Sequence, residues 1–234
     1  MVRFVSALLL AAAGVLASTN AAVINHDAVP VWPQPEPADA TQALAVRFKP
    51  QLDVVNGCQP YPAVDPQGNT SGGLKPSGSQ AAACRDMSKA QVYSRSGTYN
   101  GYYAIMYSWY MPKDSPSTGI GHRHDWENVV VWLDNAASAN IVALSASAHS
   151  GYKKSFPADK SYLDGITAKI SYKSTWPLDH ELGFTTSAGK QQPLIQWEQM
   201  TQAARDALES TDFGNANVPF KSNFQDKLVK AFFQ

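Results

Sequence analysis

Within Gly121-His122-Arg123-His124-Asp125-Trp126-Glu127, two imidazoles and two carboxylates stand beside an apolar run, Val129 to Leu133. That density points to a metal or proton site. Asp125, Trp126 and Glu127 lead into residues of high β propensity, so the end of the motif is expected on a strand. Residues two apart on a strand share a face, which lets Asp125 and Glu127 converge while Trp126 turns into the core. Alternation alone puts His122 on the opposite face; Gly119 and Gly121 just upstream would let a loop curl back and return it. An Asp-x-Glu pair is usually a solvated face. What shifts the balance is Asp114, in the turn-rich Pro112-Lys113-Asp114-Ser115-Pro116, which supplies a third carboxylate. Three carboxylates and one imidazole suit a hard cation, Mg²⁺ or Ca²⁺, better than zinc. The two cysteines lie far from the histidines, and no His-Glu-x-x-His helix is present.

The elements that must position these groups follow from pattern. Strands are expected at Leu52 to Val55, Gln91 to Arg95, Tyr99 to Met111, Asp125 to Leu133, Ile141 to Ala148 and Ile166 to Tyr172, with turns at Gly97, Asp134-Asn135, Gly151 and Asp164-Gly165. Residues 30–37 carry four prolines and read as an extended arm. Ala38 to Phe48 reads as a short helix starting near Asp39 or Thr41 and closed by Pro50. Ile195 to Glu209 and Ser222 to Phe232 have helical periodicity, and Ser222-Asn223-Phe224-Gln225 matches a capping box. The sum is a mainly β chain, a single-domain β-sandwich with peripheral α-helices.

The chain opens Met1-Val2-Arg3-Phe4, runs apolar through Leu8 to Ala13 and ends in small residues, the form of a secretory signal peptide. Candidate cleavage sites follow Ala17 and Ala21, and residues 1–21 are assigned to the signal and 22–234 to the mature domain. The mature protein is expected to be secreted and extracellular, and monomeric in solution. Without the signal it holds 18 basic and 19 acidic residues, a balance that leaves no footprint for nucleic acid and no polybasic membrane patch. Cys58 and Cys84 are the only pair available in an oxidising compartment and are expected to bond to each other. The Gly-, Ser- and Pro-rich loop between them carries Asn69-Thr70-Ser71, an N-glycosylation sequon at Asn69.

Two aromatic stretches need separate readings. Gly101 to Met111 reads as a strand buried on both faces. In Lys173-Ser174-Thr175-Trp176-Pro177-Leu178-Asp179-His180 the proline places Trp176 on a loop, where the indole with Leu178 beside it suits a membrane interface.

Gly121 to Glu127 resembles the signature heptapeptide of the necrosis- and ethylene-inducing-peptide-like proteins, the NLP cytolysins. Ala104 to Tyr110, the two-cysteine spacing and the helical tail extend the resemblance over nearly the whole mature chain, in the two-cysteine form most associated with oomycetes. The resemblance implies a sandwich akin to actinoporins and fungal lectins, and a cation in a solvent-facing cavity. It also implies recognition of glycosylinositol phosphorylceramide sphingolipids in plant plasma membranes. The family's ion site falls on Asp114, His122, Asp125 and Glu127. Its lipid head-group cavity falls on His149 and Asp179, and its membrane contact on Trp176, with Leu178 pressed beside it. Arg123 and His124 take supporting roles. The implied function is that of a non-enzymatic toxin and virulence factor that permeabilises the host membrane and triggers plant immunity, with a host immune receptor as a further partner. The competing classes are a metal-dependent hydrolase, with His122 or His149 as base, and a non-lytic lectin or elicitor.

Overall fold

The computed structural model describes residues 21–149, 151–175 and 179–234. The expected signal segment through residue 20, and Trp176 and Leu178, lie outside them. In chain order the elements are β1 (Val23–Ile24), α1 (Ala40–Arg47), β2 (Gln51–Val54), β3 (Thr70–Ser71), β4 (Val92–Tyr99), β5 (Tyr102–Ser117), β6 (Ile120–Leu133) and β7 (Ile141–Ala148). They continue with β8 (Gly151–Ser155), β9 (Leu163–Asp164), β10 (Thr167–Lys173), β11 (Glu181–Phe184), β12 (Leu194–Gln196), α2 (Gln202–Ser210) and α3 (Phe224–Ala231).

One sheet has the order β12-β4-β5-β6-β7-β8 and the second β11-β10-β2, with β9 beside β10. The expected β-sandwich with peripheral helices is what forms. The β5–β6 hairpin is the spine of the larger sheet, and its middle is buried on both faces, so each face needs its own cover. On one, Tyr107 donates to the Ala45 carbonyl of α1 (2.8 Å) and the Trp109 indole donates to Gln192 (2.9 Å), while β11 packs on β6 and β7. On the other, Trp126 meets Phe213 and Phe220 edge-on, and Trp132 meets Phe232 and Phe233. The C-terminal segment with α2 and α3 thus closes the core by aromatic contacts that prefer this tilted geometry. Cys58 and Cys84 are disulfide-bonded, as expected.

Several boundaries move for identifiable reasons. The β4–β5 turn is Asn100-Gly101 (φ 48° and 84°), the two-residue hairpin that right-handed strand twist favours, rather than Gly97. Gly97 sits mid-strand opposite Ala104 because Phe224 lies against it; a Cβ there would come 2.9 Å from the ring. β5 runs through the proline-flanked segment read as a loop. The Pro112 carbonyl accepts from Leu74 N–H (2.7 Å), so its ring nitrogen faces away from β6 and no ladder bond is lost. The periodic segment from Ile195 divides instead of forming one helix. Leu194–Gln196 pair in parallel with β4, a short 3₁₀ turn follows, and Thr201 caps α2 through Ala204 N–H. The expected capping box at Ser222 is absent: Ser222 donates to Glu209, and Asn223 occupies the cap position.

Candidate functional site

The charged residues of the heptapeptide and Asp114 share the end of the β5–β6 hairpin, beyond the point where β4 stops pairing with β5. Asp114 stands directly across from His122, Met111 from Asp125, and Trp109 from Glu127. His122 and Asp125 have opposite strand parity yet both face one cavity. The device lies in the strand, at His124, whose φ of +61° breaks the two-residue alternation between them. The expected glycine loop is only a partial account: Gly119 and Gly121 have positive φ, but pairing already resumes at Ile120. His124 itself turns into the core, where its Nδ1 lies 2.6 Å from the Tyr110 hydroxyl, and burial lowers its pKa to about 4. Arg123 donates to the Gly72 and Gly73 carbonyls. The supporting roles read for Arg123 and His124 fit this geometry, and Trp126 is core.

The cavity holds about 520 Å³ and is lined by Asp114, His122, Asp125, Glu127, His149 and Asp179, among others. Its floor is deeper than a surface site: Asp114 is 1% exposed, and Asp125 and Glu127 are each 6% exposed. Asp114 is held by His180, whose Nδ1 lies 2.6 Å from Oδ1 and whose backbone N–H donates to Oδ2 at 2.9 Å. Tyr172 donates to Asp125 Oδ2 (2.8 Å), and Ser147 donates to Glu127 Oε2. His122 places Nδ1 2.8 Å from the His124 carbonyl and Nε2 4.0 Å from Asp114 Oδ2. Donation from Nδ1 leaves the Nε2 lone pair toward the acids. His149 projects from the β7–β8 turn and sets Nε2 3.5 Å from Glu181.

Electrostatics follow from burial. Asp125 is pushed up to about 7, first by burial and then by the Asp114 charge, and Glu127 is raised by burial and by Asp125. Burial pulls His122 down, but its bond to the His124 carbonyl and the Asp125 and Asp114 charges outweigh that and leave it raised. Carboxylates that disfavour one another's ionisation, facing an imidazole lone pair, make a donor set that a hard divalent cation fits. Ligand atoms of Asp114, His122 and Asp179 lie within 4.8 Å of one another. Asp125 and Glu127 line the same cavity with one oxygen each already engaged.

His180 is the residue the sequence reading did not single out. It is stacked on Tyr172 at 4.7 Å and buried, and a Cβ on Gly57 (φ 89°) would lie 2.5 Å from its Nε2, so only glycine fits there. Its one signal was adjacency to Asp179. Asn69 lies in a turn where its amide donates to Asp65 (2.8 Å) and its carbonyl accepts from Ala22 N–H (2.9 Å).

Comparison with known proteins places this arrangement. The model of the necrosis inducing protein (NPP1) family matches residues 42–231. NLP effector protein 1 of Phytophthora capsici is 57% identical over 93% of this chain and 94% of its own, and necrosis-inducing protein NPP1 of Phytophthora nicotianae is 55% identical over 96% and 97%. A solved structure described as a toxin fold for microbial attack and plant defense superposes with a TM-score of 0.90 at 99% identity, over 91% of this chain and all of that one. NLPPya in complex with glucosamine gives a TM-score of 0.88 at 98% identity over the same shares, and the non-toxic HaNLP3 protein 0.87 at 45% over 89% and 99%. On its sequence, its fold and its relatives, the chain belongs to the necrosis-inducing NPP1 protein family, the NLP toxins and effectors known from Phytophthora.

Proposed function

We propose that this necrosis-inducing protein is a secreted cytolysin. It binds glycosylinositol phosphorylceramide head groups of plant plasma membranes in the acidic cavity and then permeabilises the bilayer. The observation that carries the reading is the convergence of Asp114, His122, Asp125, Glu127 and Asp179 on one cavity. The solved complexes of the near-identical NLPPya with glucosamine and mannosamine support a sugar as what enters it.

In this reading Asp114, His122, Asp125 and Glu127 hold the divalent cation, Mg²⁺ or Ca²⁺, with Asp179 and His149 facing the glycan. The cation supplies open coordination positions for hydroxyl oxygens. His180 aims Asp114 through two contacts, and Tyr172 orients Asp125. Trp176 and Leu178 then meet the lipid interface, where an indole is favourably buried. No covalent step is needed. A glycan at Asn69 would first have to release the amide from Asp65.

The test follows a labelled head group and vesicle leakage on one preparation. Leakage without turnover is expected; turnover would select a hydrolase, and binding without leakage a lectin or elicitor. Trp176→Ala should lose leakage while keeping binding of the free glycan, and leakage equal to wild type would remove Trp176 from the mechanism.

A further inference from the structure

The cavity has a second wall of opposite sign. Lys227 and Lys230 of α3 line it together with Asn215, Asn217 and Pro219, facing the pocket that Asp114, Asp125 and Glu127 close from the sheet side. The two lysines are one helical turn apart, on a helix whose Phe224, Leu228 and Ala231 are buried. Neither ammonium has a carboxylate within 4.0 Å among the described residues, although Asp226 lies one turn before Lys230 and Asp114, Asp125 and Glu127 line the same cavity. Lys227 is half-buried, and its pKa is lowered by burial and then by Lys230. A half-buried Lys227 beside an exposed Lys230, both lining the pocket, is a like-charged pair whose repulsion a bound anion relieves. Lys230 in the last turn also complements the helix dipole, but Lys227 stands a turn further in and gains little from that.

We propose that Lys227 and Lys230 are the anion-recognising pole of the cavity, taking a carboxylate or phosphate carried by the same glycan whose hydroxyls face the Asp114–His122–Asp179 wall. The inference rests on the head-group reading for the nature of the occupant and adds a specificity-determining pair to it. A neutral sugar then fills only half of the site. An acidic one bridges both walls, so discrimination among head groups comes from their anionic group.

The experiment titrates the mature, disulfide-bonded protein with glucuronic acid, inositol 1-phosphate and glucosamine by NMR at low salt, with and without Mg²⁺. Wild type should bind at least one anionic probe with an affinity that falls as salt rises. Lys227→Gln with Lys230→Gln should weaken that probe about tenfold, the scale of losing charge-assisted hydrogen bonds. Glucosamine binding and the circular dichroism spectrum should be unchanged, and the double arginine variant should retain the anion. Whichever anionic probe responds identifies the source as carboxylate or phosphate. Anion binding equal in wild type and the glutamine variant, absent from wild type, or lost in parallel with glucosamine overturns the proposal. Asp114→Ala tests the head-group reading separately: normal lysis by that variant defeats the cation site, while the lysine titrations still decide the anion pole.

Discussion

The two ends of the β5–β6 hairpin are built on opposite principles. Around Ile105 and Val131 the hairpin is paired by β4 on one side and β7 on the other, and its side chains are apolar and wholly buried. Beyond Trp109 and before Val129 those neighbours stop pairing, and the same two strands carry Lys113, Asp114, His122, Asp125 and Glu127. One end is closed by side-chain packing, and at the other, which opens on the cavity, the carboxylates are held by hydrogen bonds from Tyr172, Ser147 and His180. The first arrangement stabilises. The second holds buried carboxylates close to one another, a local cost of the kind that clusters at functional sites.

This difference predicts separable mutational effects. Asp114→Ala should lower leakage by about two orders of magnitude, the scale on which disturbing a metal site's ligand shell lowers affinity or activity. Its thermal stability should fall less than that of Trp132→Ala, at the packed end, where loss of a fully buried indole costs about 3–5 kcal/mol. Leakage per folded molecule should be unchanged in Trp132→Ala. If Trp132→Ala abolishes leakage while folded, or Asp114→Ala spares it, the two ends are not functionally distinct.

Breaking the Cys58–Cys84 bond comes next, with an expected loss of roughly 3–4 kcal/mol in the chain-entropy account of a loop spanning a separation of 26. Lys113 is tied to that loop through the Ser77 and Ser79 carbonyls, so the bond braces the charged end. Chemical denaturation of a Cys58→Ala, Cys84→Ala variant checks this, and an unchanged midpoint would show that the loop holds itself. The smallest effect expected is one of pH on the ion-free protein. Asp125 is raised in the fold to about 7, so its contribution is full below its unfolded value, near ~4, and is lost as pH rises through about 7. His124, lowered to about 4, runs the other way between its folded and unfolded values, so the informative quantity is a difference. In chelator, Asp125→Asn should gain melting temperature relative to wild type between pH 5 and pH 8. No relative gain would mean that Asp125 is not under charge stress.

How far the sequence reaches depends on what sets each element. Ile141 to Ala148 reads correctly to the residue because turn signals at Asp134-Asn135 and Gly151 bound it on both sides. The β8 strand, Gly151–Ser155, and β11 and β12 escape notice because they are short, and β12 also pairs with β4, a strand distant in sequence. The four residues expected to hold the cation do share one cavity, but the means of bringing His122 round, a positive φ at His124 whose ring meets the buried Tyr110 hydroxyl, follows from no local sequence rule. His180 escaped for a related reason: nothing in its neighbours announces that its ring will fill the gap between Tyr172 and Gly57.

The central claim, that the acidic cavity reads a sphingolipid head group and thereby damages the membrane, is tested most directly by dye release from two vesicle populations. One contains plant inositol sphingolipids and the other lacks them, at a fixed concentration of Mg²⁺ or Ca²⁺. The account predicts leakage from the first alone, abolished by chelation and restored on returning the cation. Equal leakage from both, or leakage indifferent to chelator, would contradict it.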